Sequence, residues 1–501
     1  MNTHKLNLQS TMRVLLATIL LASTFRCAAQ SSRPDIVLTG DIVASQNKHF
    51  VEVPFQVPAG IHRISVDFSF TGREQRTALD LGILDPERFR GESGGNKSHF
   101  TIAETDATPS YLPGAIPAGT WKLLISVPNI RKESISHYQA EIRFHEHDEE
   151  VGFVDQPLST AKRWYRGDLH MHTGNSDGSC SSLNGHRVPC PVFLTVQTAA
   201  SRGLDFIAIT DHNTGSQYNA MRELQPYFDN ILLIPGREMT TFNGHFNVYG
   251  ITQSIPFDID AGGRTLNEVL HTVKVMGGIA SVNHAESPGG EDCMGCRWEP
   301  PADADMSLMS SVEVINGGSM FSSAKYWDEQ LSKGNRLAAI GGSDNHYATI
   351  PTAEDGAIGR PTTVVEAKEL SVPGIMAGIQ AGRTIVDLTA SRDKVVDFEA
   401  TSGGAHARMG ETLAVAESGT VQLSVITAGC TGLVLHLSLD GSESPSVPAM
   451  QITAASSTLT ATLKPSPGRH WLHIEVRNAA GELQVLSSPL YINFPAEGSR
   501  R

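Results

Sequence analysis

Four short apolar runs in the middle of this chain each break off at a residue able to bind a metal ion, and that coincidence constrains the fold more than any other feature. Phe206 to Ile209 leads into Thr210-Asp211-His212-Asn213, and Ile231 to Ile234 into Pro235-Gly236-Arg237-Glu238. Gly278 to Val282 leads into Asn283-His284, and Leu337 to Ile340 into Gly341-Gly342-Ser343-Asp344-Asn345-His346. A further histidine, His245, stands in G-H-F-N-V-Y-G just before another short strand. Upstream, Gly167 to Gly178 reads G-D-L-H-M-H-T-G-N-S-D-G. Side chains alternate faces along a strand, so His170 and His172 project from the same side. Asp177 follows in a turn rich in Gly, Ser and Asn that can curl back toward them.

Any one of these residues has an ordinary structural use, since a buried histidine can be a hydrogen-bonded core residue and Asp or Ser after a strand can cap a helix. Their joint placement is harder to dismiss, because scattered residues would not all fall at one end of successive strands. The set comprises His170, His172, Asp177, His212, Glu238, His245, His284, Asp344 and His346. One ion needs roughly four to six ligands including water. The set therefore predicts two or three divalent ions. Asp168 and Asp211 sit beside ligand positions and are expected to orient the imidazoles. Arg237, Arg297 and Arg360 are candidates to meet an anionic substrate.

Between Trp164 and about Leu388 short apolar runs alternate with helical stretches at Val192 to Arg202, Thr265 to Met276, Ser323 to Lys333 and Val372 to Ala381. Thr265 with Glu268 forms a capping box, and Gly277 a stop. Strand and helix in turn predict an α/β fold with a parallel sheet, whose chemistry gathers at the strand C-termini. Outside this stretch the pattern has period two. Ile64 to Phe70 and Tyr138 to Phe144 alternate apolar and polar residues, as do Val421 to Val425 and Leu433 to Leu439. A β-sandwich over about 34–150 and an immunoglobulin-like one over 392–495 are expected on either side of a catalytic region at 160–391. His145 to Glu150, H-E-H-D-E-E, reads as a charged linker.

At 501 residues the chain is long enough for several cores, and 40% apolar with 18% charged residues is ordinary for a globular protein. An excess of 53 Asp and Glu over 39 Lys and Arg leaves no basic surplus for phosphates, which argues against nucleic acid as a partner. Lys5 and Arg13, the apolar run Val14 to Phe25, then Cys27-Ala28-Ala29 have the layout of a secretory signal cleaved after Ala29, with Met12 an alternative start. That run is too short to span a bilayer. A periplasmic or secreted protein is expected, and a lipid anchor on Cys27 is disfavoured by Arg26. Export permits disulfides, and Cys180 with Cys190 and Cys293 with Cys296 read as local staples that leave Cys430 unpaired.

The ordered set D-L-H-M-H-T…S-D-G, G-L-D-F-I-A-I-T-D-H-N, Glu238 with G-H-F-N-V-Y-G, N-H and G-G-S-D-N-H resembles the PHP (polymerase and histidinol phosphatase) superfamily of metal-dependent hydrolases, in its carbaryl-hydrolase-like CehA/McbA branch. The resemblance covers roughly Trp164 to Leu388. It implies a distorted (β/α)7 barrel with up to three ions, of Mn, Zn or Fe. Carried over by position, His170, His172, Glu238 and Asp344 would hold one ion, and Glu238, His245 and His284 a second. Asp177, which stands where many members have His, would hold a third with His212 and His346. The implied chemistry is hydrolysis by metal-activated hydroxide, with Glu238, Asp344 and His346 at its centre. Phosphoesters are the expected small-molecule substrates, carbamates or carboxyl esters the alternative, and a non-catalytic secreted binding protein the reading from another class.

Overall fold

A computed structural model describes residues 33–146, 152–154, 156–259, 263–291, 293, 295–317 and 321–495. The stretch expected to be a secretory signal, with Cys27, and most of the H-E-H-D-E-E run lie outside the described residues. Among those described, no helix is long and apolar enough to cross a membrane.

The α/β expectation is overturned. Strand takes 42% of the residues and helix 12%, so this is a mostly β chain rather than a (β/α)7 barrel flanked by sandwiches. The described residues hold five short α-helices: α1 Val192–Ser201, α2 Tyr218–Leu224, α3 Leu266–Val275, α4 Ala324–Ser332 and α5 Val372–Gln380. Four of them stand where helical spacing was read, and Thr265 and Glu268 do form the capping box that starts α3. What the periodicity misjudged is the connections. The run read as stopping at Ile234 continues through Pro235 as the strand Leu232–Thr241, which turns over two residues into its antiparallel neighbour Gly244–Tyr249. Ile279–Val282 adds antiparallel to that hairpin. On the other flank Thr362–Ala367 lies antiparallel to Arg163–Asp168 and to Thr384–Asp387. Within the central region, parallel pairing among the described strands survives in two patches. Arg163–Asp168, Phe206–Ile209 and Leu232–Thr241 form one, and Ile279–Val282, Ser311–Asn316 and Ala338–Gly342 the other.

This mixed sheet is continuous with strands near the C-terminus, since Thr384–Asp387 pairs with Leu483–Ser487. A separate four-stranded antiparallel sheet, Ala405–Arg408, Val395–Ser402, Val421–Ala428 and Ser456–Leu463, covers it there. Val364 and Ile385 pack in one core with Val396, Phe398, Leu437 and Ile474 across that junction. In the N-terminal part, the sheet Ile36–Val43, Ile135–His145, Arg63–Phe70 and His99–Ala103 faces Phe50–Val57, Gly119–Asn129, Ala78–Leu84 and Phe89–Glu92. The period-two residues point inward here, with Ile64, Val66, Trp121, Leu123 and Ile142 all fully buried. Each such side chain contributes on the order of 1.5–3 kcal/mol by leaving water.

The N-terminal sandwich docks on the central region through buried charge. Arg63 holds Asp106 at 2.7 Å, and Arg222 of α2 also donates to Asp106. Thr105 Oγ1 donates to the Thr252 carbonyl at 2.9 Å, and the Ala107 N–H to Asn219 Oδ1 at 3.1 Å.

Candidate metal centre

The ends of the central strands bring all nine proposed ligands into one cluster, buried at its floor and open to solvent at Asp177 and His346. His170 and His172 follow Arg163–Asp168, Glu238 lies within Leu232–Thr241, and His245 lies on the strand it folds back into. Two isolated bridges stitch the ligand segments together, Met171 beside Asn345 and His212 beside Glu238. Ring centroids run from His172 to His346 at 4.1 Å, to His212 at 4.4 Å and to His170 at 5.2 Å. From His170 the series continues to His284 at 5.8 Å and on to His245 at 5.2 Å. Gly342 makes this approach possible, because a Cβ there would lie 2.4 Å from the His170 Cβ.

Three groups present ligand atoms close enough to share an ion: His172, Asp177, His212 and His346; His170, Glu238 and His284; and His170, His172 and Asp344. These are buried His, Asp and Glu groups able to hold metal. The last two overlap at His170, and Glu238 lies between them and the outer group, with Oε2 2.9 Å from His212 Nδ1. His245 Nδ1 is 3.2 Å from Glu238 Oε1 and belongs to none of the three groups.

Imidazole nitrogens face carboxylate oxygens throughout, and each such contact is favourable only with a proton or a cation between the two. His170 Nε2 stands 3.4 Å from Glu238 Oε1 and 3.3 Å from Asp344 Oδ1. Buried atoms left without a hydrogen-bond partner include His170 Nε2, His172 Nδ1, Glu238 Oε2, His245 Nε2 and His284 Nδ1. Native interiors rarely tolerate such orphans, each costing about 1–3 kcal/mol, and a cation would satisfy several at once. The donor set of imidazole nitrogens and carboxylate oxygens fits divalent transition metals. Without metal, protons must do the same work. Burial alone would discharge His170, yet Asp344, Glu313 and Glu238 hold its pKa well above the ordinary value. Burial likewise opposes His212, but Asp177 and Glu238 raise it to about 10. His284 and His346 are raised against burial in the same way. Glu238 and Asp344 are held well below the usual carboxylate range against their own burial, His170 being the principal cause in both. His172 goes the other way, lowered by burial.

A residue not anticipated from sequence anchors the floor. Glu313 is buried in the strand Ser311–Asn316, where its Oε1 accepts from His170 Nδ1 at 2.9 Å. Its Oε2 accepts from the His284 N–H and from Asn316, both at 3.0 Å. The first bond fixes the tautomer that turns His170 Nε2 toward Glu238. A carboxylate in the middle of the apolar run S-V-E-V-I-N was the available signal. Asn283 donates to Glu238 Oε1 at 2.8 Å, and Asn316 to Asp344 Oδ2 at 3.1 Å. Asp344 and His284 have φ of 50° and 24°, left-handed backbone that costs a non-glycine residue about 1–3 kcal/mol.

Asp168 and Asp211 do not orient imidazoles as anticipated. Asp168 accepts the backbone N–H groups of His170, Ser343 and Gly359, at 3.2, 3.0 and 2.6 Å. Burial nonetheless keeps its carboxyl above the ordinary range. Asp211 accepts from the Thr173 N–H and hydroxyl and from Ser176, each at 2.7 Å, and so shapes the turn that carries Asp177. Imidazole orientation falls instead to Glu313 and to Thr240, whose hydroxyl is 2.6 Å from His212 Nδ1. His346 Nδ1 donates to the Asp344 carbonyl at 2.9 Å, which leaves its Nε2 facing Asp177 at 3.3 Å.

The three arginines also lie elsewhere. Arg237 alternates with Glu238 along its strand and so points away from the cluster, donating to the carbonyls of Thr214 and Gln253 at 3.1 and 3.4 Å. Arg297 donates to the Ser287 carbonyl at 3.3 Å. Arg360 pairs with Asp355 at 3.6 Å and donates to the Ala353 carbonyl. A cavity of about 490 Å³ opens onto the cluster, lined by His284, Asp344, His346, Tyr347, Ile350 and Asp355 among others. Its described lining includes no lysine or arginine. Cys293 and Cys296, on its rim, are disulfide-bonded. Cys180 and Cys190 are buried free thiols, contrary to the expected staple. Strand register sets Cys180 opposite Val188 instead.

No family model matches the chain, and neither does any curated protein. Among solved structures, part of it is similar to the solution NMR structure of the CARDB domain of PF1109 from Pyrococcus furiosus. The identity is 11% over 20% of this chain and 99% of that one, with a TM-score of 0.13. A superposition at that score identifies neither fold nor function.

Proposed function

We propose that this chain is an exported hydrolase of small-molecule esters that works with two or three divalent cations, manganese, zinc or iron, held by the cluster. The observation that carries this reading is the convergence of orphaned imidazole and carboxylate lone pairs at the foot of an open cavity. The order of the motifs, which resembles that of the PHP superfamily, supports it independently of the fold.

His170, Glu238, His284, His172 and Asp344 would hold the inner cations, and Asp177, His212 and His346 an outer one. When bound, such ions supply Lewis acidity and draw the pKa of water toward neutrality. The protein's own part is to hold these donors ready. Glu313 pins His170, Asn283 holds one oxygen of Glu238, and Asn316 holds one oxygen of Asp344, so that these side chains would be held in place to bind a cation. Burial of the floor keeps bulk water from competing for these groups. His346 has its side chain 38% exposed at the cavity mouth, beside Asp177. When only the inner groups are filled, its Nε2 can hold a proton for a departing alkoxide.

Phosphoesters are the substrate class suggested by the motif order. A specific observation favours a second class, uncharged carboxyl or carbamate esters. The described lining of the cavity includes no lysine or arginine to meet an anion, and the nearby Arg360 is already paired with Asp355.

Metal analysis of the purified protein should find at least two equivalents, and a panel of p-nitrophenyl phosphate, p-nitrophenyl acetate and a naphthyl carbamate should show turnover that disappears in His170→Ala. Full metal content and rate in that variant would refute the site. A metal-loaded protein inert on the whole panel would refute the reaction.

A further inference from the structure

A second cavity, of about 440 Å³, lies away from the metal cluster and carries three arginines on its wall: Arg166, Arg202 and Arg392. Its size is in the range of small-ligand sites. Arg166 is 7% exposed and pairs with Asp387 at 2.5 Å, yet its buried Nε has no hydrogen-bond partner. Arg202 donates to the Ile358 carbonyl at 2.8 Å and also to that of Ile350, which satisfies N–H groups without neutralising the charge. Arg392 is exposed and reaches over Gly203, where a Cβ would lie 3.0 Å from its Cζ. The glycine leaves room for the guanidinium to lie flat on the cavity wall.

Most of the nearby carboxylates are engaged, and Asp393 adds a further negative charge beside Arg166. Asp387 is bound to Arg166, and Asp205 pairs with Arg163 at 2.6 Å. Asp168 spends its oxygens on backbone N–H groups. The lining itself carries three guanidinium groups and no carboxylate, the acidic groups Asp387, Asp393, Asp205 and Asp168 lying behind it. The C-terminus of α1 brings about half a negative charge to the same wall, which the guanidinium groups outweigh. Thr198, Thr349 and Thr352 add hydroxyl donors. Forked cations with hydroxyls between them suit a tetrahedral oxyanion.

We infer that this cavity binds a phosphate group, free or carried on a small molecule, separately from the metal centre. The segment that separates the two cavities is shared. Thr349, Thr352 and Gly359 line the anion cavity, whereas Tyr347, Ile350 and Asp355 line the catalytic one, and Arg202 grips its backbone at Ile350 and Ile358. An anion drawing on Arg202 therefore acts on the loop that carries His346.

The test is calorimetric titration of the metal-loaded protein with inorganic phosphate and, separately, glycerol phosphate, against Arg392→Glu and Arg392→Lys. Any phosphate held by the metals is untouched by these changes and subtracts out. Arg392→Glu should weaken binding of at least one ligand by about tenfold or more while melting temperature and metal content stay unchanged, with Arg392→Lys in between. Tighter binding of one arm names the source. Identical isotherms for wild type and Arg392→Glu in both arms, or no saturation by about 10 mM, would overturn the proposal.

Discussion

The buried polar clusters around Asp106 and around Glu238 are built on opposite plans. Around Asp106 every contact sets a donor against an acceptor, with Arg63 and Arg222 converging on one carboxylate. Around Glu238 imidazole nitrogens crowd the carboxylate oxygens at 3.2 to 3.4 Å, each nitrogen needing a proton or a cation to make the contact favourable, with Asn283 donating to one oxygen. The first arrangement closes on itself and joins two parts of the chain. The second is incomplete without positive charge from outside, whether protons or metal ions. Burial and charged side chains are common to both, so neither property separates a structural cluster from a ligand-binding one. The pairing of lone pairs does.

The sharpest way to break this contrast is to remove one ligand from the second cluster. His170→Ala or Glu238→Gln should cost at least one metal equivalent and reduce hydrolysis by about a thousandfold, or about 4 kcal/mol, while leaving the protein folded. Metal analysis alongside the ester panel checks this. Asp106→Ala should do the reverse. Stranding two buried guanidinium groups should destabilise the protein by about 3–5 kcal/mol in urea titration, with metal content unchanged. Asp106 also has a pH consequence. Burial opposes its ionisation, but Arg63 and Arg222 prevail and hold its pKa below the ordinary value. Its contribution to stability is thus full above about pH 4, the unfolded value, and is lost as pH falls through the lower folded value. The acid limb of the stability curve should flatten in the variant.

A smaller effect tests the support beneath the ligands. Glu313→Gln keeps the size of the side chain but weakens its hold on His170, and should lower metal affinity by about 10–100-fold with little change in melting temperature. A chelator competition assay measures it. The mildest test is proton counting. The metal-free cluster holds protons on His170, His212, His284 and His346, whose values are raised, so metal must displace them. Calorimetry in buffers of different ionisation enthalpy should show net proton release, and affinity should fall roughly tenfold per released proton for each unit of acidification.

Much of the site was legible because strand ends are punctuated locally. The residues after Ile209, Val282 and Ile340 declare themselves by type and position, and the structure gathers them. Glu313 was not legible, since its role depends on His170, 143 residues away in the chain. Arg237 was misread because its strand was ended too soon at Ile234. Extending it through Thr241 makes Arg237 and Glu238 alternate, so only one can face the metals. The same early ending hid the hairpin to Gly244–Tyr249, and with the unseen antiparallel pairing of Thr362–Ala367 it turned a mixed sheet into an expected parallel one. Pairing direction is set by the length of connections and by tertiary contacts, which apolar periodicity does not report.

The left-handed backbone at His284 and Asp344 has a practical corollary for anyone improving this protein by selection. At both positions glycine would relieve strain, so a screen that rewards heat resistance alone is drawn toward replacing side chains of the candidate metal cluster. Rounds of such a screen would converge on sturdier variants with the cluster dismantled, and a library protecting these two codons would avoid the trap.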